Sequence, residues 1–178
     1  MLAHAGRRPR YPIDEATQRM AQFLMTEYVP LEKRIHREIP ISKQLDVRVG
    51  SISPEGITLT APLAPNKNHE STAFGGSIYC VAVLSCWALL SEILEDIDLK
   101  VDYVVIQDGK INYLRPVESD FAARSFWSSE DDKLKFLETL RKKGRARVSL
   151  GAEITTGAVE CARLDARFVA QVKRRENP

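Results

Sequence analysis

The sequence predicts an α+β fold: a long antiparallel β-sheet wrapped around one central apolar α-helix, with an N-terminal helix and a short surface helix at the edges. Three observations predict it. Ile78 to Leu94 is a run of apolar residues broken only by Ser85, Ser91 and Glu92, and it is apolar nearly all round when wound as a helix. Five or more segments alternate apolar and polar residues and are separated by turn signals. One further segment, Asp131 to Lys143, carries acids at its start and bases at its end.

Taken in order, residues 1–10 (MLAHAGRRPR) read as a flexible basic tail, and residues 11–178 as a single domain. From Asp14, the residues Ala16, Met20, Phe23, Leu24 and Tyr28 recur at helical spacing. Pro30 should interrupt that helix, Leu31 to Ile35 should add a turn, and Pro40 should close the region. Leu45, Val47 and Val49 alternate with polar partners, as do Ile57, Leu59 and Ala61. Pro54-Glu55-Gly56 between them makes a hairpin. Residues Ala64 to Ser77 are rich in Pro, Asn, Ser, Thr and Gly, a loop that delivers the chain into the central helix, Ser77 to Leu94.

Beyond the helix, Tyr103–Ile106 and Ile111–Leu114 flank Asp108-Gly109, a turn or bulge signal. Phe121–Trp127 follows as a strand. The surface helix Asp131–Lys143 has Glu130, Asp131 and Asp132 at its start and Arg141, Lys142 and Lys143 at its end, with Gly144 as the stop. Ala146–Thr155 and Val159–Val172 are two long strands about Thr156-Gly157. A sheet curled round one helix is the hotdog arrangement, and its open edges should pair with a second copy, so a homodimer or higher homo-oligomer is expected.

Composition narrows the chemistry. The 178 residues include 26 Lys and Arg against 24 Asp and Glu, a net charge of +2, which gives no global case for nucleic-acid binding. The apolar share of 44% excludes disorder for most of the chain. Cys80, Cys86 and Cys161 form no CxxC pair, so neither a disulfide framework nor a Cys-rich zinc site is expected, and a cytoplasmic location fits. His4, His36 and His69 stand alone, without an HExxH or HxH arrangement, so no metal site and no metal-dependent hydrolase is predicted. The apolar helix is too short and too interrupted for a membrane-spanning segment, so no membrane insertion is expected.

The loop Asn66-Lys67-Asn68-His69-Glu70-Ser71-Thr72-Ala73-Phe74-Gly75-Gly76-Ser77 is where chemistry is expected. Two glycines at a helix start let another molecule approach the backbone, and the first-turn N–H groups favour an oxygen acquiring negative charge. Asn68 offers an amide to hold that oxygen or a water, and His69 a candidate base. The plainer alternative stays open: a tight entry turn, with Asn66 and Asn68 bonded to nearby backbone and His69 simply exposed.

The same residues carry a resemblance. The run APLAPNKNHESTAFGGSIYCVAVLSCWALLS, Ala61 to Ser91, resembles the YiiD C-terminal-domain family of putative thioesterases, a hotdog family. Ile39–Lys43, Ile111–Pro116 and Gly144–Arg147 support it, so that it covers roughly residues 14–172. The resemblance implies an acyl-thioester substrate of coenzyme A or acyl carrier protein, with no cofactor beyond the coenzyme A or phosphopantetheine of the substrate. By that resemblance Gly75 and Gly76 form the oxyanion region, with Asn68, seven positions before the first glycine, and His69 beside it. Asn66, Thr72, Phe74 and Ser77 would contact substrate, and fatty-acid metabolism is the implied setting.

One departure is informative. Many related hotdog thioesterases carry an Asp or Glu eight residues past the first glycine, where this chain has Val83. Hydrolysis then relies on His69, an Asn-held water, or an acid from elsewhere in a dimer, such as Asp102 or Glu70. Decarboxylation of a malonyl thioester needs only a stabilised enolate oxygen and is the alternative activity. A non-catalytic acyl-thioester-binding module is a third reading. Cys80, Cys86 and Trp87 read as core, with a nucleophilic thiol and an acyl-slot lining as their respective alternatives. The basic run through Lys142, Lys143 and Arg145 reads as a solvated helix end, or as a contact for coenzyme A phosphates or an acidic carrier surface.

Overall fold

The computed structural model describes residues 28–53, 55–96 and 100–173, so the expected basic tail and the helical run from Asp14 through residue 27 lie outside the described residues. A helical stretch over residues 28–38 (α1) opens the described chain and passes through Pro30 without a break. The expected interruption is therefore corrected. Pro30 is the third described residue of α1, and Leu31 and Ile35 beyond it are buried in the core.

A short helix the sequence patterning hides, α2 (Ile41–Gln44), follows with Pro40 as its N-cap residue. Its buried Ser42 donates from Oγ to the Ile35 carbonyl at 3.4 Å, which holds it to α1. Leu45, expected to begin a strand, lies in the turn after α2, where Asp46 takes a positive φ of 50°.

Strands β1 (Arg48–Ser53) and β2 (Gly56–Ala61) form the expected antiparallel hairpin. Gly56 is required by proximity to the next strand: a Cβ there would lie 1.9 Å from the Ser125 carbonyl oxygen. The loop from Ala61 then enters the long helix α3 (Gly75–Asp96), which begins two residues earlier than expected. Strand β3 (Val101–Tyr113) runs unbroken through Asp108-Gly109, and the register slips between Ile106 and Asp108, so the bulge reading holds over the turn.

Strand β4 (Phe121–Trp127) leads to α4 (Glu130–Lys143), then to β5 (Arg145–Thr156) and β6 (Val159–Val172). In α4, Ser129 Oγ accepts from the Asp132 N–H at 3.1 Å, and Gly144 at φ +70° ends the helix by donating its N–H to the Leu140 carbonyl. Phe136 and Leu140 bury its apolar face, and Phe136 tilts against Trp127 with ring centroids 6.1 Å apart.

The six strands form one antiparallel sheet in the order β1-β2-β4-β5-β6-β3. Along β5, Ala146, Val148, Leu150, Ala152 and Ile154 are buried in alternation with outward residues. Together with Leu59, Ala123, Leu164 and Phe168 they make the floor on which α3 lies. The helix has the length and apolarity of a membrane span, but most of it is buried inside this protein. This is the hotdog arrangement, with β1 and β3 as the two sheet edges.

Candidate active site

The loop before α3 is built by its asparagines. Asn66 is 1% exposed, and its Nδ2 donates to the carbonyls of Leu45 (2.9 Å) and Pro62 (2.7 Å). Both amide protons are spent on the backbone, so the substrate contact expected of Asn66 is corrected to a structural one. Its carbonyl oxygen Oδ1 is buried and has no partner among the described residues.

Asn68 closes the tip of the loop. Its Oδ1 accepts the N–H groups of Glu70 (2.9 Å) and Thr72 (3.2 Å), and its Nδ2 donates to Thr72 Oγ1 (2.9 Å). This is the turn role expected of a short amide side chain, and it leaves one Nδ2 proton for another acceptor. Thr72 is thereby engaged with Asn68. His69 points into solvent, its side chain 87% exposed, with Glu70 Oε1 at 3.1 Å.

Beyond the tip, Ala73 donates to the Val117 carbonyl and Phe74 to the Asn66 carbonyl, at 2.8 and 2.7 Å, which fixes the chain's entry into α3. Ile78 N–H donates to the Phe74 carbonyl as the first intrahelical bond. The N–H groups of Gly75, Gly76 and Ser77 precede it and have no acceptor within the helix. Phe74, with no side-chain acceptor, cannot cap them. Three backbone donors and the positive end of a 22-residue helix thus converge at one surface point.

Aromatic side chains frame that point. A Cβ on Gly76 would lie 2.3 Å from the Phe74 ring, and one on Gly75 would lie 3.2 Å from the Tyr113 hydroxyl. The glycine pair is therefore fitted to its aromatic neighbours as well as to any approaching ligand. Tyr113 Oη donates to the Gly75 carbonyl at 2.8 Å, tying the end of β3 to the start of α3. Partial burial, with Cys80 and Tyr79 nearby, raises the phenol pKa above its ordinary value, so it stays a neutral donor. Phe74, Tyr113 and Leu114 are 58%, 52% and 55% exposed and form an apolar rim. The Ser77 side chain, in the same first turn, is buried.

Beyond this rim, from Tyr79 onward, a groove of about 790 Å³ runs along α3. Tyr79, Cys80, Val83 and Trp87 form its floor, β3 from Val101 to Ile106 one wall, and α1 with Ile39 the other. Val83 is a groove residue. Cys80 and Trp87 line the groove too, each partly exposed, whereas Cys86 is fully buried and its thiol is pushed up to about 12 by that burial. At the far end Arg34 reaches across from α1 to pair with both Glu92 and Glu95.

The basic residues do not join this site within one chain. Tyr113 pairs with Ala162 and Ala162 with Ile154, whereas Arg145 lies nine residues back along β5, about 30 Å away at about 3.3 Å per residue. Lys142 is turned to Glu138 at 2.5 Å on the exposed face of α4. Lys142, Lys143 and Arg145 therefore sit at the opposite end of the sheet from Gly75. Sequence reasoning gave no role to Tyr113, Tyr79 or Arg34. Tyr113 stood in the quoted run Ile111–Pro116, but the contact that brings it to Gly75 spans 38 residues and leaves no local signal.

Three solved structures show the same fold. A protein of unknown function from Chlorobaculum tepidum TLS is 27% identical with a TM-score of 0.76, over 81% of this chain and 93% of that one. A putative thioesterase from Shewanella oneidensis is 27% identical with a TM-score of 0.71, over 85% and 99%. A Pseudomonas aeruginosa protein described as a probable thioesterase, 19% identical with a TM-score of 0.63 over 78% and 91%, shares the fold. The unsatisfied helix end, the glycine pair and the loop leading into it all fall inside residues 29–172, which match the family described as "Putative thioesterase (yiiD_Cterm)". The chain belongs to that YiiD C-terminal-domain family of putative thioesterases.

Proposed function

We propose that the protein hydrolyses an acyl thioester of coenzyme A or an acyl carrier protein, with the thioester carbonyl oxygen seated on the N–H groups of Gly75, Gly76 and Ser77. The observation that carries the reading is that convergence of unpaired donors one helical turn from a groove that begins at Tyr79. Water adds to the carbonyl carbon, the oxygen gathers negative charge against the helix end, and the C–S bond breaks. The products are a carboxylic acid and a thiol. One aimed donor of this kind contributes about 2.7–4 kcal/mol to the transition state. In this scheme the free Nδ2 proton of Asn68 orients the water or the oxygen, and His69 takes the proton of the attacking water.

The active unit in this proposal is a homodimer. Strand β3 is a sheet edge of 13 residues with Val105 and Tyr113 exposed along it. Two-fold antiparallel pairing along β3 would set the Val101 end of one copy beside the Tyr113 end of the other. Arg145 lies at the Val101 end, since it pairs with Gln171 and Gln171 with Tyr103. The Lys142–Arg145 cluster of one copy then flanks the glycine pair of the other, where the phosphates of coenzyme A or the acidic surface of a carrier protein would arrive.

Val83 supports a second reading, decarboxylation of a malonyl thioester, because that reaction needs an oxyanion site and no acid on the helix. Incubation with acyl- and malonyl-thioesters of coenzyme A and of carrier protein separates the readings. Free thiol supports hydrolysis. CO₂ with retained thioester transfers the assignment to decarboxylation, and binding without turnover to a non-catalytic module.

A further inference from the structure

The groove begins at Tyr79, one turn beyond the glycine pair, and runs along α3 to Leu94 and Glu95. Tyr79, Val83, Trp87 and Ser91 follow one another at four-residue intervals along α3, a stripe that keeps to one face of a helix. The stripe is half-buried, whereas its neighbours Ala82, Ser85, Cys86 and Leu90 are fully enclosed. Its opposite wall is β3, where Val101, Val104, Val105 and Ile106 line it together with Asp102 and Tyr103. At Ser91 the stripe meets Arg34 of α1, which pairs with Glu92 and Glu95, so that charged side chains gather at this end of the trough, where Arg37 and Glu38 line it as well. Arg34 is itself largely enclosed, 15% exposed, and its Nε is buried.

The geometry points to a groove that takes the hydrocarbon tail of a long-chain acyl thioester, with the Arg34–Glu92–Glu95 cluster as the stop that sets maximal chain length. This rests on the acyl-thioester reading above and names its substrate class. Gly75 to Glu92 spans about 25 Å at about 1.5 Å per residue. A zigzag of single bonds of about 1.5 Å advances somewhat less than that per bond, so about 16 to 20 carbons cover the same distance. Val83 stands about 12 Å from Gly75, at roughly the eighth to tenth carbon. The volume of about 790 Å³ is in the range of small-molecule sites. A tail methyl reaching Arg34 would have to displace a charge from both carboxylates, an unfavourable step that defines the end. A malonyl group would leave nearly all of this groove unused.

The test combines affinity and turnover across chain length. Non-hydrolysable acyl-thioether analogues of coenzyme A with 4 to 18 carbons are titrated calorimetrically into the wild-type protein, Val83→Trp and Arg34→Ala. The matching thioesters are assayed for released thiol. Each methylene buried in an apolar site is worth up to about fourfold in affinity, and about twofold in a half-open groove. The wild type is expected to bind 16 carbons at least ~100-fold more tightly than 8. Val83→Trp should lose the gain beyond about 8 to 10 carbons while keeping short-chain affinity. Arg34→Ala should move the optimum to longer chains.

A flat affinity series, or a Val83→Trp protein that still prefers 16 carbons, overturns the groove assignment. A flat series with thiol released at all lengths overturns it while leaving hydrolysis in place. A steep series without thiol release keeps the groove and removes hydrolysis. If Val83→Trp instead converts a dimer to a monomer in sedimentation while the wild-type series is flat, the groove seats a second copy and the proposal fails.

Discussion

Replacing Asn66 by Ala separates a structural asparagine from a catalytic one more cleanly than any other change in the loop. The Asn66 side chain is 1% exposed and donates to the carbonyls of Leu45 and Pro62 at 2.9 and 2.7 Å. Truncation leaves both acceptors enclosed without these donors, at about 1–3 kcal/mol each. Part of that is offset, because Oδ1 is already buried without a partner and its removal returns a desolvation penalty. A net loss of about 2–4 kcal/mol follows. For a chain of this size that lowers Tm by roughly 5–15 °C. Urea unfolding followed by tryptophan fluorescence gives the stability. Thiol release from a long-chain thioester at 15 °C, well below the transition, gives the activity of molecules that remain folded. The expected result is a large fall in the urea midpoint with kcat/KM per folded molecule reduced less than threefold. An unchanged midpoint with turnover reduced tenfold or more would place Asn66 on the substrate and refute the assignment made from its hydrogen bonds.

Asn68→Ala is expected to show the opposite pattern, with turnover lower by at least tenfold and the fold intact, because its three bonds organise a surface loop rather than the core; a circular-dichroism melt beside the thiol assay reads both. Gly56→Ala places a methyl 1.9 Å from the Ser125 carbonyl, so β2 and β4 must separate. A loss of about 3 kcal/mol or more is expected in urea unfolding. Burial holds the Cys86 thiol at about 12 against an ordinary value of 9.0. Above pH 9 the unfolded chain therefore releases a proton that the folded chain retains, and stability should fall as pH rises toward 12, a fall that Cys86→Ala reduces. Neutralising Lys142, Lys143 and Arg145 together should raise KM for a carrier-protein substrate several-fold at low salt, with kcat and Tm unchanged, and the effect should fade as ionic strength increases.

Much of the fold was legible because its signals are local. Apolar residues on every side of Ile78–Leu94 require an enclosed helix, and the acid-to-base order across Glu130–Lys143 with Gly144 behind it specifies α4 at both ends. The hairpin at Gly56 and the strand from Phe121 to Trp127 follow from alternation and turn chemistry in the same way. Pro40 closes α1 as its chemistry requires, whereas Pro30 does not break the helix it lies in, whose Leu31 and Ile35 are buried in the core. The site divides along the same line. The glycine pair and the loop asparagines are visible in sequence as a motif, but which asparagine is enclosed depends on Leu45, 21 residues away. Tyr113 and Arg34 reach the site from 38 and 58 residues away from their partners Gly75 and Glu92, and no spacing rule connects them.

Val83 links the two halves of the functional argument. An acid at this position would stand on the floor of the groove, between Tyr79 and Trp87 and opposite the wall formed by β3. Ionised, it would lose solvation whenever a hydrocarbon tail covered it, and its burial would cost several kcal/mol unless a cation accompanied it. Arg34 lies at the far end and is committed to Glu92 and Glu95. Valine removes that penalty and continues the apolar surface between Tyr79 and Trp87. In exchange, the hydrolytic water loses a carboxylate that could activate it, and activation falls to the loop that holds Asn68 and His69. Val83→Asp poses the choice directly. If the groove carries a long acyl tail, the substitution lowers affinity for 16-carbon analogues by at least ~10-fold while affinity for 4-carbon ones changes less than twofold. Equal losses at both lengths would show instead that position 83 acts at the thioester itself.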